Sequence, residues 1–164
     1  MSITLPSELA SALSVLGITW PDSDEDKLKG MGDAWMEFSN TLRGIVDDGD
    51  KHAQGVWGDN TGAAIDAFKR SWSGGEAPAA SLREGADAAA MIAEGLYLSA
   101  KIVIAVKLKT IAELVALVRA IWIAVAAAAE TEGLSLLAIP LLRWAAKRAI
   151  EELINLAISE LLSG

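Results

Sequence analysis

Leu28, Met31, Trp35, Phe38, Leu42 and Ile45 recur along the chain with spacings of 3, 4, 3, 4 and 3. That rhythm lays all six on one stripe of an α-helix. After WGDNTG, a run of turn formers tolerant of positive φ, a second helix is expected to start near Thr61 and to present Thr61, Ala64, Ile65, Phe68 and Trp72 on one face. Two amphipathic helices joined by a tight turn fold back on each other and bury their stripes together. The spacing therefore predicts a helical hairpin whose corner is Trp57, Gly58 and Gly62. Alanine and leucine dominate a composition that is 52% hydrophobic but only 5% aromatic, which favours helices over sheets. The expected fold is all-α: an elongated helical bundle built on a helix-turn-helix hairpin, with two additional long C-terminal helices.

The four prolines punctuate this plan. Pro6 opens a short amphipathic helix over residues 5–16, which Gly17 can close in the left-handed conformation. Pro21 holds Trp20 extended, and Ser23 can cap the next helix, with Asp24, Glu25 and Asp26 in its first turn where the helix dipole favours carboxylates. A calcium loop would need glycine at its sixth position. Counted from Asp22 that position is Lys27, so the acidic cluster reads as a helix start. Pro78 opens a long helix over residues 78–129, and Pro140 lies in the opening turns of a last helix with the stripe Ile150, Leu153, Ile154, Ala157, Ile158 and Leu161. The natural division is 1–76, the short helix plus hairpin, and 77–164, an apolar helical pair packed on it within one domain.

Several function classes are excluded or weakened. With no cysteine, disulfides, thiolate metal sites and cysteine nucleophiles are out. A net charge of −8 without a basic stripe argues against nucleic acid. The one histidine, His52, lies near the apolar seam with no serine or cysteine nucleophile motif beside it. Neighbouring acids such as Asp47 and Asp48, or Glu151 and Glu152, diverge by about 100° on a helix and face no common site. No enzyme, cofactor or metal site is expected.

The charge is uneven: residues 1–100 hold 16 acids and 7 bases, whereas residues 101–164 hold 6 acids and 7 bases. A bilayer-spanning helix needs about 20 mostly apolar residues. The window 102–129 has the length, but it carries Lys107, Lys109, Glu113 and Arg119, each costing about 2.5–3.5 kcal/mol at a helix centre. A buried helix of a bundle is favoured over a membrane span. Insertion of residues 102–162 as a membrane-active or pore-forming hairpin is the alternative. The opening MSITLPSELASALSVLG lacks the basic region and unbroken apolar core of a secretory signal peptide.

A hairpin whose corner carries Trp57, Gly58 and Gly62, with Phe68 and Trp72 following at i,i+4, resembles the WXG-type substrates of type VII secretion. The start ITWPDSDEDKLKGMGDAW and the stretch LSLLAIPLLRWAAKRAI resemble a longer variant. That variant lies at the N-terminus of actinobacterial polymorphic toxins, including the family of the mycobacterial outer-membrane channel protein with a C-terminal necrotizing toxin. Two departures stand out. Gly58 follows Trp57 directly, so the Trp-x-Gly spacing is absent. Tyr97 is followed at the fourth position by Lys101, so the Tyr-x-x-x-Asp/Glu export signal is absent too.

The resemblance implies a non-catalytic delivery and protein-interaction domain, made in the cytoplasm and then secreted or placed at the cell surface without a signal peptide. It implies a toxin domain downstream of Gly164 and a second helical hairpin, identical or different, or a secretion component as partner. A partner chain would then supply the export signal. Trp20, Trp35, Phe38, Leu42, Phe68 and Trp72 are the candidate residues for helix packing or for the partner interface.

Overall fold

A computed structural model describes residues 2–163. The described residues form five α-helices and no strands: α1 (Ser7–Leu16), α2 (Glu25–Asp59), α3 (Ala63–Trp72), α4 (Pro78–Ala126) and α5 (Ile139–Ser163). A 3₁₀ turn over Leu134–Ala138 precedes α5. The all-α helical bundle expected from the sequence is what the chain adopts. No helix among the described residues is long and apolar enough to cross a membrane.

Local chemistry accounts for most of the boundaries. Gly17 stands in the left-handed conformation, φ 67°, and its cap satisfies the carbonyls of Leu13 and Ser14. Pro6 precedes the first turn of α1 rather than lying in it, and Pro78 is the first residue of α4. At the start of α2 the Asp24 carboxylate accepts the Asp26 N–H at 3.1 Å, so Asp24 takes the role expected of Ser23. The break after α2 is shorter than the sequence suggested. Trp57 and Gly58 are still helical, and only residues 60–62 leave the helix, with Gly62 at φ 122° directly before α3. α4 stops three residues before the expected position 129.

The chain falls into two compact units, one comprising Met1–Asp26 with Leu98–Gly164 and the other Lys27–Tyr97. In the first, α1 lays Leu9, Leu13 and Leu16 against Leu114 and Leu117 of α4 and Ala146 and Ile150 of α5. Trp20 packs at the edge of this core.

In the second unit α2 runs antiparallel to the beginning of α4. Tyr97 Oη donates to Asp33 at 2.7 Å, Ser39 Oγ to the Ala86 carbonyl at 2.7 Å, and Arg43 to Asp87 at 2.9 Å. The buried positions of α2 are Glu25, Gly32, Ser39, Val46 and Ala53, spaced by seven. Those of α4 begin Ala79, Ala86, Ala89, Ala93 and Ala100, and all of these but Ala89 keep the same period. Small side chains at a heptad seam let two helices approach closely.

This seam corrects the phase expected from the apolar stripe. Met31, Trp35, Phe38 and Ile45 are exposed, because the buried row lies one residue further on, a rotation of about 100°. Alanine packing, not the largest side chains, sets the face that α2 turns to α4.

Candidate functional site: a hairpin corner and an exposed aromatic stripe

α3 folds back along the end of α2, and aromatic rings tie the two together. Trp57 and Phe68 have ring centroids 5.7 Å apart, and Phe68 and Trp72 are 6.0 Å apart. Separations of this size are where aromatic pairs attract beyond simple burial. Lys69 Nζ lies 5.9 Å from the Trp57 ring centroid. At the far end of α3, Trp72 Nε1 donates to Asp50 Oδ1 at 2.8 Å, and Arg83 of α4 donates to the other oxygen of the same carboxylate. The Trp72 hydrogen bond is the foremost cause of a lowered Asp50 pKa, with Arg83 adding to it against some desolvation. Asp50 thus joins α2, α3 and α4 at one point.

Trp72 reaches this position because Gly49 has no side chain: a Cβ at residue 49 would lie 3.3 Å from the indole ring. Gly32 does the same for Tyr97, where a Cβ would come within 2.7 Å of the phenol ring. The Tyr97 hydroxyl is engaged with Asp33, and that hydrogen bond, together with burial, raises its pKa.

Sequence reasoning grouped six residues, and the structure places them in four settings. Phe68 and Trp72, with Trp57 of the corner, form the half-buried aromatic ladder between α2 and α3. Leu42 is half-buried toward Gly85 of α4. Trp35 and Phe38 face outward in an edge-to-face pair 6.0 Å apart, flanked along α2 by exposed Met31, Ile45 and Val56. Trp20 belongs to the other unit, with Lys107 Nζ 6.0 Å from its ring centroid. His52 is exposed, its Nδ1 2.7 Å from the Asp48 carbonyl oxygen.

What sequence reasoning missed is the buried pair Glu25 and Lys107. Lys107 Nζ donates to Glu25 at 2.8 Å, to the Ser23 carbonyl at 2.7 Å and to Ser2 Oγ at 3.0 Å. Glu25 also accepts from Ser2 Oγ at 2.9 Å and from the Ile3 N–H. Burial acts to raise the Glu25 pKa, but hydrogen bonds from Lys107, Ile3 and Ser2 prevail and bring it to about 2. The heptad phase held a signal: Glu25 begins the α2 series 25, 32, 39, 46, 53, and Lys107 continues the α4 series 79, 86, 93, 100, 107, 114.

The outward aromatic pair, the α2–α3 corner and the small-residue seam together make a helical hairpin with one apolar face left exposed among the described residues. Residues 4–149 match the family model described as a WXG100 like domain. The chain belongs to the WXG100-like family. Neither the search of curated proteins nor that of solved structures gave a match. WXG100 proteins typically form helical hairpin dimers and are associated with secreted type VII substrates. The uncovered stripe of this WXG100-like chain is consistent with a helical partner.

Proposed function

We propose that the chain is a non-catalytic recognition and export domain that engages a second helical hairpin through the outward stripe of α2. The single observation behind this reading is the exposure of Met31, Trp35, Phe38, Ile45 and Val56 after the α2 seam with α4 is already filled. These residues recur at the helical spacing by which one helix presents anchors to another. Exposed aromatics of this size, clustered on one face, mark interaction surfaces in soluble chains. Two further elements extend the reading, supported by the resemblance of the WPDSDED start and of the C-terminal apolar helices to the long toxin-linked variant. The domain delivers a toxin that follows it in the same polypeptide, and it leaves the cell as a paired hairpin by a type VII route. The partner contributes the Tyr-x-x-x-Asp/Glu signal, because Tyr97 is followed by Lys101 and its hydroxyl is held by Asp33.

Size-exclusion chromatography with light scattering, on the chain alone and mixed with small helical proteins encoded beside it, tests the reading. A stable 1:1 assembly, with itself or with such a neighbour, is expected. A strict monomer that binds none of them would overturn it.

A further inference from the structure

The connection between α4 and α5 carries an apolar surface unrelated to the hairpin stripe. Trp122 is 70% exposed, Leu137 74% and Trp144 62%, with Ile123, Leu134 and Leu141 exposed beside them. These side chains do not share one face. Trp122 and Ile123 are adjacent on α4 and diverge by about 100°, while Leu134 and Leu137 lie in the 3₁₀ turn and Leu141 and Trp144 on α5, so the exposed apolar side chains are spread around the tip. A fluid apolar medium covers such a tip from all sides.

The charges around the tip select among fluid surfaces. Between residues 120 and 142 the only ionisable side chains are Glu130 and Glu132. Behind the tip stand Arg119 on α4 and Arg143, Lys147 and Arg148 on α5, with Lys147 Nζ 3.7 Å from Glu151, so residues 119–148 carry four bases against two acids in a chain of net charge −8, and the three arginines are the collar. Leu117 of α4 and Ala146 of α5 belong to one buried cluster, so the two helices lie side by side behind the tip. Tryptophans beside a basic collar, ahead of an apolar end, match the layering of a membrane interface. Basic side chains at that level attract anionic headgroups.

We propose that the α4–α5 tip seats in the surface of an anionic bilayer, with Trp122 and Trp144 at headgroup depth and the basic collar against lipid phosphates. The seating is superficial, since no helix among the described residues is long and apolar enough to cross. It is independent of the hairpin pairing, whose residues lie in the other unit.

The test is co-sedimentation of the full chain with vesicles of phosphatidylcholine alone and of phosphatidylcholine mixed with phosphatidylglycerol, combined with quenching of tryptophan fluorescence by lipids brominated on their acyl chains. The chain is expected to bind the mixed vesicles, to be quenched most by bromines near the headgroups, and to release no entrapped dye. Leu137→Ser weakens binding by about tenfold, since a large apolar side chain is removed from the buried tip. Arg143→Ser with Arg148→Ser abolishes the preference for phosphatidylglycerol, and Phe38→Glu leaves vesicle binding unchanged. Both Leu137 and Arg143 are exposed, so these variants keep their fold, checked by circular dichroism. Absence of binding to mixed vesicles, binding indifferent to Leu137→Ser, dye release, or a tip-dependent dimer in place of lipid binding would each overturn the proposal.

Discussion

Lys107 Nζ lies 2.8 Å from Glu25 Oε2, with the two side chains 2% and 3% exposed. A buried pair of this kind is costly to break from one side, because the surviving charge is left without compensation. Lys107→Met is therefore expected to destabilise the chain by about 3 kcal/mol or more. Replacing both, Glu25→Leu with Lys107→Met, should recover much of that loss. Urea denaturation of the singles and the double measures the coupling, and additive effects would show that the pair does not act as a unit.

The same pair sets an acid limb. The Glu25 carboxyl has a folded pKa of about 2 against an ordinary value of 4.5. A depressed pKa stabilises the fold above the unfolded value, and that contribution is lost as pH falls through the folded one. Stability should decline between pH 4.5 and pH 2 through this group, and in Glu25→Gln the decline in that window should be shallower. Thermal melts across that range check it.

Trp72→Phe keeps the aromatic ladder but removes the donor to Asp50. The Asp50 carboxyl should then titrate at a higher pH. The wild-type chain, with the lowered value, keeps this contribution at neutral pH and loses it on acidification. NMR titration of the Asp50 side chain would report the shift, and an unchanged midpoint would show that Trp72 is not what holds the carboxyl down.

Glycines on α2 should divide by what a methyl group would meet. Gly44 has open space around its position, so Gly44→Ala should raise stability by about 1 kcal/mol through helix propensity. Gly32→Ala should forfeit that gain and lower stability, because the new Cβ meets the Tyr97 ring at 2.7 Å. Thermal melts of the two variants should therefore move in opposite directions.

Thr110 Oγ1 is buried without a hydrogen-bond partner. Thr110→Val removes an unsatisfied polar atom at similar shape and helix propensity, so stability should rise by up to about 1 kcal/mol. A loss on urea denaturation would mean the hydroxyl has a partner.

Much of this architecture was legible in the sequence where a residue type has a single mechanical use. Gly17, Pro78 and Pro140 mark helix ends by backbone chemistry alone, and the Asn60, Thr61, Gly62 break follows from turn propensity. The phase of α2 was not legible from hydropathy. The large residues Met31, Trp35 and Phe38 dominate an apolar stripe, whereas the seam is chosen by how closely Gly32, Ser39 and Ala53 can approach the alanines of α4. In the sequence alone Lys107 is a charge that discourages membrane insertion and Glu25 a helix-start carboxylate. The heptad series places each of them on a buried row, but their pairing spans 82 residues of sequence, and the rows alone do not say which positions meet.

The outward α2 stripe as a partner-binding face is tested most directly by a nitroxide spin label. The chain contains no cysteine, so a single Ile45→Cys substitution takes the label cleanly. A second labelled variant, Glu160→Cys, on an exposed position of α5, is the control. On assembly with itself or with a neighbouring helical hairpin protein, the label at 45 is expected to become immobilised while that at 160 stays mobile. A label at 45 that remains mobile in an assembly confirmed by light scattering would contradict the account.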